Sequence, residues 1–95
     1  MPAFIYRILP PRGDFVATIT AAEAAIMGRH FGYLQGLHAK GRVHFVGRTE
    51  NGDFGLLVFE AADLDEATAI GRADPAVAEG LMRLEVNAFR IVSLD

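Results

Sequence analysis

The stretch RVHFVGRTENGDFGLLVFEA, residues 42–61, holds two β-type runs separated by the turn dipeptide Asn51-Gly52. Asn-Gly between two apolar runs is a strong signal for a tight hairpin, because both residues tolerate the positive φ angles that such turns need. The sequence therefore predicts antiparallel strands at 42–48 and 54–61. The second run, FGLLVF, is apolar at consecutive positions, which is typical of a strand that needs cover on both faces.

Helix signals lie on either side of this hairpin. TAAE at 20–23 has the capping-box spacing and predicts a helix that continues to about residue 39 or 40. DLDE at 63–66 is a second capping signal that opens a shorter helix. Asp74-Pro75 then starts another short turn or helix, because proline suits the first position of a helix.

The two ends of the chain supply the remaining strands. FIYRIL at 4–9 is a β-run stopped by two prolines, the segment 11–19 is predicted to be a connection, and LEVNAFRIV at 84–92 is the last strand. The order β-α-β-β-α-β is the split βαβ, ferredoxin-like plan. We expect one α+β domain over 1–95, a four-stranded antiparallel sheet with its first and third strands central, and both helices on one face.

Composition excludes several classes of function. Nine lysines and arginines against twelve acidic residues give a net charge of -3 with no basic cluster, so we expect no nucleic-acid partner. The apolar runs are too short for a bilayer, and the sequence shows no secretion signal, so we expect a cytoplasmic protein without a membrane partner. The chain has no cysteine, which excludes disulfides, thiolate catalysis and cysteine zinc sites.

The central strands predict a partner subunit. Two helices cover one face of a four-stranded sheet, and leaving the apolar side chains of the other face bare would expose an unusually large patch. We expect a homodimer whose sheets pack face to face; the alternative is that residues 14–19 fold over this face. The first helix also carries a stripe of small residues, which indicates either approach by a further subunit or compositional drift: Ala21, Ala25, Gly28, Gly32, Gly36 and Ala39.

His30 falls within the apolar stripe of the first predicted helix. At about 100° per residue, Ile26, Leu34 and Leu37 lie within about 40° of it, so its ring should face the sheet. A buried imidazole without a hydrogen-bond partner costs about 1–3 kcal/mol. We therefore expect His30 to bond to an acid, a backbone carbonyl or a ligand, either as a satisfied core residue or as a functional one.

The chain resembles the YciI-like (YCII-related) family of small dimeric α+β barrel proteins. The matching segments are RHFGYLQGLHAKGRV, FVG, DEATAIGRADPAVAEGL and EVNAFRIV, in the same order over roughly residues 4–92. The resemblance implies a paired site of His30 and Asp74, with His30 as general base or acid and Asp74 as its orienting partner. It also implies proton abstraction and elimination without a cofactor, as in dehydrochlorinase chemistry.

Two arginines are further candidates for ligand binding. Relatives often have Gly-Pro after the second strand, where this chain has Gly47-Arg48. Arg48 either holds a carboxylate or phenolate through its planar fork or is an ordinary exposed residue. Arg7, in a central strand, needs a partner and is predicted more readily as a structural ion pair, with Glu60 or Glu85, than as a ligand contact.

The three histidines show no ligand-type spacing, so we expect no metal site. Two hypotheses on function follow. The first is a small cofactor-independent enzyme of lyase or isomerase type, in which His30 and Asp74 transfer a proton on a small organic acid or an aromatic-derived substrate. The second is a non-catalytic accessory protein that binds a small ligand, in which the same pair only binds or supports the fold.

Overall fold

The computed structural model describes residues 1–95 and contains four strands and four helices. In chain order they are β1 (Ala3–Leu9), α1 (Phe15–Thr18), α2 (Ala21–Ala39), β2 (Val43–Arg48), β3 (Gly55–Glu60), α3 (Leu64–Ala73), α4 (Pro75–Ala78) and β4 (Arg83–Ala88). The strands form one antiparallel sheet in the order β2-β3-β1-β4, with β1 and β3 in the centre. The predicted ferredoxin-like α+β fold is confirmed.

Helix α2 begins at the predicted capping box. The Thr20 hydroxyl accepts a hydrogen bond from the Glu23 amide at 3.1 Å, and the Glu23 carboxylate accepts one from the Thr20 amide at 2.9 Å. Gly41, with φ of 75°, follows the C-terminal cap, a conformation that glycine adopts without steric cost. No helix, α2 included, is long and apolar enough to cross a membrane.

The segment between β1 and α2 contains a short helix that the sequence did not predict. Phe15, the first residue of α1, is 4% exposed and packs in the core on the helix side of the sheet. Arg12 ties this segment to α2, because its guanidinium donates two hydrogen bonds to the Glu23 carboxylate at 2.7 and 2.8 Å. The alternative that residues 14–19 cover the other sheet face is therefore wrong.

The last strand is shorter than predicted and ends at Ala88 instead of residue 92. β4 is an edge strand that pairs only with β1, and β1 begins at Ala3. The amide of Phe89 donates to the Ala3 carbonyl at 3.0 Å, and beyond this bond no strand remains to pair with. A β-prone sequence alone does not extend a strand without a partner backbone.

The two faces of the sheet differ in their cover. The helix-side core includes Phe4, Tyr6 and Phe59, which are all buried. On the other face, here called the open face, no helix packs, and cross-strand pairs such as Ile5 with Val58 supply its apolar centre. Phe45, paired with Val58 on this face, is 54% exposed.

The small-residue stripe of α2 is also uncovered within the single chain. Nothing lies within 4 Å of the position where a Cβ would stand at Gly28, Gly32 or Gly36. No packing inside this chain therefore requires these glycines, and both interpretations of the stripe stay predictions.

Replacing Glu23 with glutamine should remove a pH-dependent part of the stability. The hydrogen bonds from Arg12, together with those from Thr20, lower the pKa of Glu23 from 4.5 to about 2. Because the folded-state pKa is depressed, the carboxylate stabilises the fold above its unfolded-state pKa, and this stabilisation is lost as the pH falls through the folded-state value. Urea unfolding should show that the difference in unfolding free energy between wild type and Glu23→Gln is constant above about pH 5 and becomes smaller towards pH 2.

The control for this experiment is Glu50→Gln, at an exposed glutamate whose side chain forms no ion pair. Its unfolding free energy should stay parallel to that of wild type over the same pH range. If the difference in unfolding free energy between wild type and Glu23→Gln does not depend on pH, Arg12 does not lower the pKa of Glu23 as described.

Candidate active site

His30 and Asp74 lie within hydrogen-bonding distance of each other beneath α2. The Nδ1 atom of His30 is 2.8 Å from Asp74 Oδ2 and 2.9 Å from Oδ1. The Asp74 side chain is 0% exposed, whereas that of His30 is 14% exposed. The structure thus brings together two residues that are 44 positions apart in the sequence.

Asp74 is held in place by the local structure between α3 and α4. It ends α3, and its Oδ1 accepts a hydrogen bond from the Ala76 amide at 2.9 Å, which caps α4. Pro75 starts α4, as predicted from the Asp-Pro pair, because its fixed φ suits this position. The carboxylate therefore points away from its own helix, towards α2 and β1.

A second side chain, Tyr6 of β1, donates its hydroxyl to Asp74 Oδ2 at 2.8 Å. Tyr6 is 1% exposed. Burial, followed by the negative charge of Asp74, raises the pKa of Tyr6 well above its usual value, so this phenol stays protonated. The buried carboxylate has hydrogen-bond donors from three elements, which is what a buried charge requires.

A cavity of about 450 Å³ lies on the helix side of the sheet, and His30 forms part of its wall. Most of the wall is apolar and includes Ile8, Phe15, Met27, Leu34, Leu57 and Met82. Four further lining residues are themselves exposed and mark the opening to solvent: Val16, Ile19, Phe31 and Val46. Asp74 does not line the cavity, so a ligand there contacts the histidine and not the aspartate.

The free nitrogen of His30 is its reactive position. Nδ1 is hydrogen-bonded to the Asp74 carboxylate, whereas Nε2 forms no hydrogen bond within the chain. With Nδ1 as donor to the carboxylate, Nε2 holds the lone pair and can accept a proton from a molecule in the cavity. The Asp74 charge then stabilises the imidazolium that forms, which is the arrangement general acid–base catalysis requires.

The two candidate arginines lie in different places. Arg48 ends β2 and lines the cavity, where its Nη1 donates to the carbonyl oxygens of Thr49 and Glu50 at 3.0 and 3.1 Å. Arg7 lies on the open face, outside the cavity, and donates to Glu85 at 2.7 and 3.1 Å. The structure therefore joins Arg48 with His30 around one cavity and places Arg7 in a structural ion pair.

The remaining histidines lie away from the cavity. His38 is exposed in the last turn of α2, and His44 Nε2 is 3.3 Å from a carboxylate oxygen of Glu60. No three histidine, aspartate or glutamate side chains come together as a group that could hold a metal ion.

Sequence reasoning missed Tyr6 and the cavity wall contributed by α1. A signal for Tyr6 was available, because it shares a strand face with Phe4 and Ile8, and a buried phenol needs a hydrogen-bond partner. No comparable signal existed for α1, whose four residues carry no side-chain cap.

The chain is thus a ferredoxin-like α+β protein with a histidine–aspartate pair beside an apolar cavity on the helix side of its sheet. The chain belongs to the YCII-related domain family, whose model matches residues 4–90. The family resemblance inferred from the sequence motifs is therefore confirmed.

The chain is similar to one known protein in sequence and to another in structure. The chain is 36% identical over 62 residues to the uncharacterized protein YjpA of Bacillus subtilis (strain 168), covering 65% of this chain and 73% of that protein. It is also similar in structure to the 5-chloro-2-hydroxyhydroquinone dehydrochlorinase TftG of Burkholderia phenoliruptrix AC1100, solved with 2,5-dihydroxybenzoquinone. The TM-score is 0.66 at 20% sequence identity, over 92% of this chain and 93% of that one. This second likeness shows the fold.

Replacing Asp74 with alanine should destabilise the protein strongly. The substitution removes the α4 cap and leaves the buried Tyr6 hydroxyl and His30 Nδ1 without their acceptor, and each buried donor left unpaired costs about 1–3 kcal/mol. Urea unfolding measures this loss. Asp65→Ala, at an exposed aspartate in the first turn of α3, is the matched control and should cost about 0.5 kcal/mol. Equal losses in the two variants would contradict a central role for Asp74.

Proposed function

We propose that the protein is a small cofactor-independent enzyme that uses His30 and Asp74 for general acid–base proton transfer, of lyase, isomerase or dehydrochlorinase type. The observation that carries the proposal is the unbonded Nε2 of His30, on a residue that lines an apolar cavity, while Nδ1 faces a fully buried carboxylate. A purely structural histidine would not need one nitrogen free beside a cavity.

The proposed reaction begins with a neutral imidazole whose Nδ1 proton is held by Asp74. Nε2 takes a proton from an acidic O–H or C–H group of the substrate, and His30 becomes an imidazolium. In an elimination, the electron pair left behind forms a double bond as a leaving group such as chloride departs. In an isomerisation, the same proton returns from Nε2 to another atom of the substrate.

The cavity supports a small, mostly apolar substrate with an anionic or acidic group. A volume of about 450 Å³ suits a single-ring compound, and the mostly apolar wall favours its hydrocarbon part. The Nε and Nη2 groups of Arg48 form no hydrogen bond within the chain, so its fork can meet a carboxylate or phenolate at the opening. The printed names of TftG and its bound compound describe single-ring molecules of this kind.

The alternative, a non-catalytic ligand-binding or accessory protein, is favoured by one observation. Asp74 caps α4 and accepts from Tyr6, so the aspartate stabilises the fold whether or not any reaction occurs. Turnover separates the two functions, because ligand binding alone leaves the bound compound chemically unchanged. The cytoplasmic location and the lack of a cofactor stay predictions.

His30→Gln should abolish turnover while leaving the fold intact. Chloride release from 5-chloro-2-hydroxyhydroquinone, and proton exchange in a panel of small aromatic acids and lactones, are the assays. Loss of a general base should lower the rate by about 100-fold or more. His38→Gln, at an exposed histidine of the same helix, is the control and should keep wild-type activity. Ligand binding by wild type without turnover of any compound would support the accessory function, and an active His30→Gln variant would exclude His30 as the base.

We also propose that the open face forms a homodimer interface, and that a higher oligomer would form through the small-residue stripe of α2. Support comes from apolar side chains on this face, among them the partly exposed Ile5 of β1 and Phe45 of β2, which is 54% exposed. Charged side chains share this face, among them the Arg7–Glu85 and His44–Glu60 pairs. Stable interfaces combine apolar contacts with polar and charged ones in this way.

Phe45→Glu should convert the dimer to a monomer, because it places a charge within the proposed interface. Light scattering after size-exclusion chromatography measures the mass. Leu64→Glu is the matched control, since Leu64 is 50% exposed on α3, on the opposite side of the sheet, and this variant should stay dimeric. A monomeric wild type would refute the proposed interface.

A further inference from the structure

Tyr6 lies between the cavity and the buried carboxylate of Asp74. Its side chain lines the cavity, and its hydroxyl donates to Asp74 Oδ2 at 2.8 Å. The ring is fixed in the centre of the sheet, where β1 pairs with both neighbours, and it packs edge-on against Phe59 with 5.5 Å between ring centroids. A phenol in this position has little freedom to turn to another partner.

We propose that Tyr6 is a positioning residue for the His30–Asp74 pair. The hydrogen bond from its hydroxyl orients the Asp74 carboxylate and disperses part of its negative charge. This weakens the hydrogen bond between the carboxylate and the Nδ1 proton of His30. This inference rests on the proposed function, in which the electron density at Nε2 of His30 decides how readily the histidine takes a proton.

The hydrogen bonds of the carboxylate are divided between its two oxygens. Oδ1 accepts from the Ala76 amide, and Oδ2 accepts from the Tyr6 hydroxyl. His30 Nδ1 is nearly equidistant from both oxygens, at 2.9 and 2.8 Å. Without the Tyr6 hydroxyl, Oδ2 would have His30 as its one partner, and the bond to the imidazole would shorten and strengthen.

The charges around Asp74 make Tyr6 more influential than a typical donor. No arginine or lysine forms an ion pair with this carboxylate; Arg29 of α2 pairs instead with Glu79, the C-terminal cap of α4, and this pair is exposed. The negative charge is therefore balanced only by the hydrogen bonds of His30, Ala76 and Tyr6. Tyr33, also nearby, gives its hydroxyl to the Ile70 carbonyl at 2.7 Å instead.

Tyr6 acts only as a donor. Burial and the charge of Asp74 raise its pKa far above the neutral range, so its proton does not leave during turnover. Among the three donors to Asp74, His30 is the one that gains and loses a proton in the proposed reaction. Tyr6 is thus a fixed dipole that acts on the reacting histidine through Asp74.

The test compares Tyr6→Phe with Asp74→Asn in the intact protein. Two readouts report on His30: the low-field NMR resonance of its Nδ1 proton, and the rate at which diethyl pyrocarbonate acylates Nε2, with His38 and His44 resolved by peptide mass spectrometry. In Tyr6→Phe we expect the resonance to move downfield and acylation to be about 2- to 5-fold faster, because a hydrogen bond to the carboxylate has been lost. In Asp74→Asn we expect an upfield shift and slower acylation.

Tyr33→Phe is the matched control, since it removes the same atom from a hydroxyl that does not contact Asp74, and both readouts should equal those of wild type. Tyr6 and Tyr33 are the two tyrosines of the chain, so growth of Tyr33→Phe on 3-fluorotyrosine labels Tyr6 alone. Fluorination makes the phenol a stronger donor and should slow acylation, which keeps the test decisive if Tyr6→Phe does not fold.

The outcomes separate this inference from the proposed function. Suppose that Asp74→Asn changes both readouts, while Tyr6→Phe equals wild type and the fluorinated protein equals unlabelled Tyr33→Phe. The role of Tyr6 is then overturned, and the coupling between His30 and Asp74 is retained. If Asp74→Asn also leaves both readouts unchanged, the pair itself is not coupled and the proposed function fails with it. Opposite shifts in Tyr6→Phe and Asp74→Asn support the inference, because a merely structural role would move both variants the same way.

Discussion

The site depends on one constraint: the Asp74 carboxylate has no access to water and must find its hydrogen bonds within the protein. It finds them in a backbone amide of α4, a hydroxyl from β1 and an imidazole from α2. Satisfying this one group therefore fixes the positions of two helices relative to the central strand. The same contacts that stabilise the carboxylate also orient the histidine towards the cavity.

The asymmetry of the sheet explains why the site lies where it does. On the helix side, the side chains of β1 and β3 meet helices and enclose both an apolar core and a cavity. Electrostatic interactions are stronger in such surroundings than in water, so a single carboxylate can orient and polarise the imidazole effectively. On the open face, the exposed Arg7–Glu85 pair contributes little energy, because water screens it.

Family membership and function are separate conclusions for this chain. The YCII-related match over residues 4–90 establishes the family, while a structural likeness at 20% identity establishes only a shared fold. The chemistry must therefore be argued from the side chains around the cavity, among them His30 and Arg48.

The sequence by itself determined those parts of the structure that local chemistry controls. The capping box at Thr20 predicted the start of α2, Asn51-Gly52 predicted the hairpin, and the β-α-β-β-α-β order predicted that β1 and β3 are central. The helical position of His30 predicted that its ring faces the sheet. Its pairing with Asp74 came from family resemblance, because spacing along the chain gives no distance between residues 44 positions apart.

Only the tertiary structure decided the rest. The end of β4 depends on where β1 begins, and the cavity depends on how α1, α2 and the sheet pack. The hydrogen bond from Tyr6 to Asp74 joins residues 68 positions apart. Such contacts are set by the packing of the whole domain, because the free energy of burying a side chain depends on neighbours from distant parts of the chain, whereas caps and turns depend on residues three or four positions away.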